Sequence, residues 1–435
     1  MLATLRRRDY ALLWAGGLIS VTGDWVLLAA LPFYVYSLTG SALAAGGMFI
    51  ANTAPGVLFG SVAGVFVDRW DRQRVMVTAD LSRAALLLCL LLVRSPRWVG
   101  LVYLTIFTSS CISLFFGPAK SALLPRLAGR EYLIAANALN GLNSQVGRLL
   151  GPALGGVLLG VVGLTGVVLA DSASFVLSGL LIAQITHTAP PRPSATEDPA
   201  RTAGGRWRTV WREWWDGLRL VRRRRTLSTF FLVISVAGVG EGIYNVMYVV
   251  FVRAVLHGGA LAFGYLSSAQ AVGGLLGGFV IGHAGRRLTP RFLIALLAAV
   301  GLSTLVLIRF PTVPVALGVA VFAGIPAVGY TVGFTTLLQD ATDDRYRGRI
   351  FGAYGTTWAL LTLVGQVTGS GLGDRLGSSA LLAVEGVLNI AAGVLALVLF
   401  RRIGPEVSSS ETPREECAWA EAVDGAISVE GLDHP

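Results

Sequence analysis

Residues 64–74 read Gly64-Val65-Phe66-Val67-Asp68-Arg69-Trp70-Asp71-Arg72-Gln73-Arg74. On either side of this charged knot the chain is apolar, over about 42–67 before it and 75–95 after it. A membrane-spanning helix needs about 20 such residues, so the knot reads as a tight turn between two spans. At an offset of 214 residues a glycine and a basic cluster recur, in Gly278 followed by Phe279, Val280, Ile281, Gly282, His283, Ala284, Gly285 and Arg286. One loop met twice in register indicates an internal repeat.

Working outward, the same alternation of apolar run and short polar break covers most of the first 400 residues. Twelve runs can be counted, near 11–37, 42–67, 75–95, 98–117, 135–162, 165–187, 226–252, 260–282, 291–309, 313–338, 350–372 and 377–400. Of the 435 residues 54% are hydrophobic and only 14% charged, and the mean hydropathy is +0.67, so the bilayer has to be the solvent. The runs are continuous rather than alternating, which implies helices and not a barrel. Arg6, Arg7 and Arg8 precede a first run too long for a signal-peptide core and without a small-residue cleavage site, so it reads as a retained span. The expected fold class is an all-α integral membrane protein with twelve transmembrane helices in two pseudo-symmetric six-helix bundles.

The repeat extends beyond the loop. At the same offset Leu123-Leu124 meets Leu337-Leu338, Gly151 and Gly155 meet Gly365 and Gly369, and Asp171 meets Glu385; with a three-residue shift, Gly23-Asp24 meets Gly240-Glu241. The matches indicate two parallel halves related about the membrane normal.

A formal charge of +10 raises the question of nucleic acid, but the basic residues sit between spans. With the N-terminus inside, the short inner segments hold 17 of them (Arg6, Arg7, Arg8, Arg69, Arg72, Arg74, Lys120, Arg126, Arg130, Arg286, Arg287, Arg291, Arg345, Arg347, Arg349, Arg401 and Arg402) and the outer loops 5 (Arg94, Arg97, Arg253, Arg309 and Arg375). That bias predicts cytoplasmic termini and an even number of spans. The expected partners are a lipid bilayer, a small-molecule substrate and protons, with no nucleic acid, and the chain is expected to act as a monomer. The near absence of lysine beside abundant arginine and alanine suggests a high-GC bacterium, hence its inner (cytoplasmic) membrane.

Cys89, Cys111 and Cys417 and the four scattered histidines form neither a disulfide framework nor a metal-ligand set, so no metal or other cofactor is expected. No phosphate-binding loop ends in Lys-Ser or Lys-Thr, and no Gly-x-Ser-x-Gly or His-Glu-x-x-His occurs, which argues against an ATP-driven pump and against an enzyme.

Four segments are expected: an N-terminal bundle over 1–187, a cytoplasmic linker over 188–225, a C-terminal bundle over 226–402, and a disordered acidic tail over 403–435. The linker begins Pro- and Ala-rich. From Arg206 to Arg225 it then spaces Trp207, Trp211, Trp214, Leu218 and Val221 three and four apart among arginines, as an amphipathic helix lying on an anionic leaflet would.

The loop chemistry is intelligible. Gly64 lets helices approach, Asp68 can pair with an arginine or face a helix N-terminus, and Arg69, Arg72 and Arg74 hold the cytoplasmic side. Gly64-x-x-x-Asp68-Arg69-x-Asp71-Arg72-x-Arg74 resembles the signature loop of the major facilitator superfamily, which implies a gating role; the family pattern usually has glycine where Asp71 stands, and the second copy has Gly282 where Asp68 would recur. Gly147-x-x-x-Gly151-Pro152-x-x-Gly155-Gly156 resembles the fifth-helix motif of antiporter members and so implies export. Pro118 to Pro125, Ala136 to Asn140, Asp171 to Phe175 and Arg347-Gly348-Arg349 look like the bacterial branch that includes enterobactin and macrolide efflux proteins.

A charged residue inside a membrane costs about 2.5–3.5 kcal/mol on insertion scales and is a functional candidate by default. Asp24 and Glu241 occupy repeat-related places, where carboxylates facing a shared cavity could exchange protons, and Arg148 could pair with either. Asp80 and Arg83, three apart, are expected to pair with each other. Candidates for the cavity wall are Asn143, Gln145, Tyr244, Asn245, Gln270, Gln339, Trp358 and Gln366. The reading is proton-coupled efflux of an amphipathic organic compound, such as an antibiotic or siderophore, by alternating access, as in antibiotic resistance. The alternatives are import of a small metabolite by the same fold and a non-transporting receptor.

Overall fold

The computed structural model describes residues 2–67, 70–186, 215, 219, 221–222, 225–284, 290–342 and 347–403. After a short helical turn at Leu2–Leu5, twelve long helices follow: α1 (Arg8–Thr39), α2 (Ala42–Val67), α3 (Arg72–Leu87, prolonged by a 3₁₀ turn at Leu88–Leu92), α4 (Val99–Ala128), α5 (Leu133–Val161), α6 (Gly163–Ala183), α7 (Arg225–Ala254), α8 (Ala260–Ala284), α9 (Pro290–Arg309), α10 (Val313–Asp340), α11 (Arg347–Leu376) and α12 (Ser378–Ile403). Each falls on one of the twelve apolar runs, because in hydrocarbon the backbone must bond within its own segment. The chain is a multi-pass membrane protein. Of the predicted linker and tail, only Trp215, Arg219 and Val221–Arg222 and the ends of the flanking helices lie within the described residues. Val221 is buried against the base of α7, where its carbonyl accepts from Ser228 Oγ at 2.8 Å.

The two halves repeat one packing scheme. In the first, α1 packs on α5 and α6, α2 on α4, and α3 on α4 and α6; in the second, α7 packs on α11 and α12, α8 on α10, and α9 on α10 and α12. The turns repeat too. Gly163 (φ 71°) and Gly377 (φ 79°), 214 residues apart, each reverse the chain between the fifth and sixth helices of a half, in a left-handed conformation that a side chain would strain.

The halves meet where α5 crosses α8 and α2 crosses α11. Among the described residues, ten of the twelve helices are apolar and long enough to cross a membrane by length and composition, and α5 and α8 are more polar than these. Asn137, Asn140, Asn143, Gln145 and Arg148 lower the hydropathy of α5, and Ser267, Ser268, Gln270 and a run of glycines that of α8. These two helices lie against each other, and Ser268 Oγ donates to the Leu149 carbonyl across the crossing at 2.7 Å.

Small residues set the closeness of both crossings. A Cβ at Gly156 would lie 2.5 Å from the Ala260 carbonyl oxygen, and one at Gly264 2.5 Å from that of Pro152. At α2–α11, a Cβ on Gly46 would fall within the Ser370 side chain, and one on Gly373 2.7 Å from Ala42 Cβ.

The apolar core tells the two ends of the molecule apart. One cluster joins the halves at the end where α1 and α7 finish, bringing Ala29, Phe33 and Ala42 against Met247, Tyr248, Phe251 and Phe263. There the Phe33 and Phe263 rings stand 5.9 Å apart. At the opposite end each half keeps its own cluster, around Tyr10, Leu123 and Leu127 in the first and Phe230, Phe334 and Leu338 in the second. The molecule is therefore sealed across the halves at one end.

Candidate substrate cavity and its charged neighbours

Against the inner side of that seal lies a cavity of about 310 Å³. Its wall takes Trp25 and Ala29 from α1, Phe49 from α2, Arg148 and Pro152 from α5, Glu241, Tyr244, Asn245 and Tyr248 from α7, Gln270 from α8, Tyr330 from α10, Trp358 from α11 and Asn389 from α12. Tyr244 and Tyr248 are one helical turn apart and stack with centroids 5.0 Å apart. The wall is thus aromatic with a few polar groups.

Arg148 belongs to the first half but reaches into the second. A Cβ placed on Gly274 of α8 would lie 2.7 Å from its Nη2 atom, so the missing side chain there makes room for the guanidinium. Arg148 is the electrostatic partner of Glu241, which is exposed to the cavity and hydrogen-bonds to Asn245. This attraction, longer than a direct salt bridge, spans the two halves.

Asp24 is placed differently from Glu241. It is not in the cavity wall; it pairs with Arg83 Nη2 at 2.5 Å. The expected Asp80–Arg83 pairing gives way to this contact, because α3 aims the guanidinium between α1 and α6, where it also lies 4.1 Å over the Phe175 ring and donates to Ser109 Oγ at 3.0 Å. Asp80 is buried with its Oδ2 lacking a hydrogen-bond partner.

Of the residues proposed from sequence for the wall, Tyr244, Asn245, Gln270 and Trp358 line it. Asn143 does not: it is buried and its amide donates to the Trp14 carbonyl at 2.9 Å, tying α5 to α1. Gln145, three residues before Arg148 on the same face of α5, is not part of the wall, Gln339 is exposed at the far end of α10, and Gln366 donates to Thr53 Oγ1 at 3.2 Å in the α2–α11 crossing. Sequence reading missed Tyr248, Tyr330 and Asn389. Tyr248 was findable, four residues after Tyr244 on one helix face.

The glycine motif of α5 divides its labour. Gly147, Gly151 and Gly155 seat α1, against Val21, Trp25 and Val26, while Gly156 seats α8 of the other half. Gly365 and Gly369 seat α7 against α11 in the same manner. In the charged loop, Asp68 and Arg69 lie outside the described residues. Asp71 caps α3, its carboxylate accepting from the Arg74 backbone N–H at 2.9 Å, and Arg72 Nη1 donates to the Ala122 carbonyl of α4 at 3.3 Å. Arg74 is exposed, and Gly64 lies in the last turn of α2. Asp71→Ala is expected to cost about 0.5–2 kcal/mol of stability, the usual worth of an N-cap, read as a lower unfolding temperature in detergent.

At the sealed end a single carboxylate bridges the halves. Asp374, on the last turn of α11, accepts from the Ala42 N–H at 2.6 Å, Ser41 Oγ at 2.7 Å and the Leu43 N–H at 3.4 Å. It caps α2 from the opposite half.

Two pseudo-symmetric six-helix halves around one polar and aromatic cavity, closed at one end, define a secondary transporter of the major facilitator type. The family model described as transmembrane secretion effector, within the major facilitator superfamily, matches residues 1–423, and the chain belongs to that family. It is 24% identical over 390 residues to macrolide efflux protein A of Streptococcus pyogenes, covering 88% of this chain and 94% of that one. It is 26% identical over 411 residues to the multidrug efflux pump Tap of Mycolicibacterium fortuitum, covering 91% and 97%. A crystal structure of a bacterial homologue of the iron transporter ferroportin in the inward-facing state superposes with a TM-score of 0.71 at 16% identity, over 90% of this chain and 98% of that one. The protein is a small-molecule transporter of the membrane and not an enzyme.

Proposed function

We propose that the chain exports an amphipathic organic compound, such as an antibiotic or a siderophore, in exchange for protons. The observation that carries this reading is that Glu241 and Arg148 line the same aromatic cavity from opposite halves, a carboxylate on one half attracted by a guanidinium from the other. Gain of a proton at Glu241 weakens that attraction, and rocking of the halves changes its geometry, so proton, substrate and conformation meet at one place. The efflux relatives support the direction. The excess of arginines in alternate loops puts both termini on the cytoplasmic side of an inner membrane. The sealed end then faces outward and the cavity awaits substrate from inside. Asp24 contributes as the charge partner that fixes Arg83, and the loop Gly64, Asp68, Arg69, Asp71, Arg72 and Arg74 acts at the cytoplasmic gate. The transporter works as a monomer.

The test is accumulation of a panel of fluorescent and antibiotic compounds in an efflux-deficient host, with and without a protonophore. Wild type is expected to lower accumulation of some of them in a protonophore-sensitive way, and Glu241→Gln to lose the effect at equal membrane abundance. Raised accumulation in the presence of wild type would instead indicate import.

A further inference from the structure

The sequence repeat that pairs Asp171 with Glu385 has a structural counterpart that the reaction as described does not use. Both residues sit on the sixth helix of their half and both are buried, at 0% and 2% exposure. Among the described residues, each leaves one carboxylate oxygen, Oδ2 of Asp171 and Oε2 of Glu385, without a hydrogen-bond partner. Each packs against the glycine that precedes the acid of the first helix: a Cβ built on Gly23, next to Asp24, would fall against Asp171 Oδ1, and one on Gly240, next to Glu241, would lie 3.5 Å from Glu385 Cγ. The fold thus holds two acid pairs, each with one exposed and one buried member.

The two pairs differ in where their positive charge comes from. In the first half it is Arg83, resident on α3, bonded to Asp24 and stacked on Phe175 of the same half. No rocking of one half against the other alters it. In the second half the charge is Arg148, which arrives from the first half across the cavity. Because it is carried by the other half, its distance from Glu241 depends on how the halves are set against each other. A buried ionised carboxylate without partners is costly, so the second pair alone changes its charge balance with conformation.

Glu385 is also connected to the cavity. Asn389, one turn along α12, lines the cavity wall and donates its amide to Glu385 Oε1. The titratable groups that face Glu385 from the packed helices are Glu241 and Tyr244, both on α7; α9 presents the Thr304 hydroxyl.

We propose that Glu385 is a second proton carrier of this transporter, protonated in its buried place and exchanging its proton with Glu241 so that only one of the two carboxyls is ionised at a time, while Arg83 holds the matching Asp24–Asp171 pair out of the traffic. The inference rests on the proton-coupled reading above.

Two measurements on the full-length purified protein separate the inference from that reading. Infrared spectra across a pH titration need no substrate: wild type is expected to show the carbonyl stretch of a buried protonated carboxyl that is absent from Glu385→Gln. In proteoliposomes with an imposed pH gradient and ethidium as probe, Glu385→Gln is expected to lose gradient-driven accumulation while ethidium exchange persists, and Asp24→Asn to keep the accumulation with a lowered unfolding temperature. An unchanged infrared spectrum, or full gradient-driven accumulation in Glu385→Gln, overturns the assignment. Loss of accumulation in a folded Asp24→Asn overturns the exclusion of the first pair. If wild type itself shows no gradient-driven movement, the proton-coupled reading fails for this probe and the infrared band still decides Glu385. Should Glu385→Gln not survive solubilisation, Asn389→Leu, which removes the donor to Oε1, is expected to shift the same band, and an unmoved band counts against the assignment.

Discussion

Leucine at Gly264 is expected to abolish transport while leaving the protein in the membrane. The position sits where α8 crosses α5, and even a Cβ there would lie 2.5 Å from the Pro152 carbonyl oxygen and 3.1 Å from Gly156 Cα. Carbon atoms settle at about 3.5–4.0 Å, and both obstacles are backbone, so neither can rotate away. The crossing must widen by about 1 Å for the Cβ alone. Overpacking of this kind costs about 1–3 kcal/mol, which lowers the population of the sealed conformation by about 5- to 150-fold. A transporter that cannot seal one end cannot alternate. The check is efflux at matched membrane abundance, with a cysteine in place of Phe33 reporting through its labelling rate whether the sealed end has opened. Gly318→Leu supplies the control, since that glycine of α10 has nothing within 4 Å of a built Cβ. Equal efflux by the Gly264 and Gly318 variants would show that the crossing does not need its closeness.

Asp374→Ala is expected to open the same end by a different physical route. The carboxylate caps α2 with three hydrogen bonds across the halves, two of them to backbone N–H groups that a helix N-terminus otherwise leaves unpaired. A capping side chain is worth about 0.5–2 kcal/mol, and its charge adds about 0.3–1 kcal/mol at the positive end of the helix. Because the bonds run between halves, their loss is felt as a conformational shift rather than as unfolding. The labelling rate of a cysteine at Ala42, fully buried now, should rise about 5- to 30-fold, the equivalent of one to two kcal/mol. Asp374→Asn keeps an acceptor oxygen and should fall between wild type and alanine. Identical rates in all three proteins would mean that the apolar layer holds the end shut unaided. The equivalent position in the first half, 214 residues earlier, is Gly160, so no partner latch sits at the start of α8 and the effect should not be halved by redundancy.

Why some of this was legible beforehand follows from which forces are local. A spanning helix is dictated by its own residues, because lipid offers the backbone no other partner, and so the twelve runs became twelve helices. The repeat was legible from its glycines and charges in register, and the structure adds one more pair to them, the left-handed turn glycines Gly163 and Gly377 between the fifth and sixth helices of each half. Even Asp71, which departs from the usual glycine of the signature loop, has a local purpose as the cap of α3.

Partnerships were another matter. Spacing suggested that Arg83 should bond Asp80 on its own helix, but the side chain's direction is set by the packing of α3 on α4 and α6, and that delivers it to Asp24. Asn143 and Gln366 look like cavity residues in a string of letters, yet rotation of each helix about its axis turns the first toward α1 and the second toward α2. The sequence by itself determined the number of helices, the two-fold repeat and the charged residues that lipid would not tolerate without cause. Only the tertiary structure decided which acid faces the cavity, which arginine answers it and which end is sealed, since those depend on contacts between helices hundreds of residues apart that no local periodicity encodes.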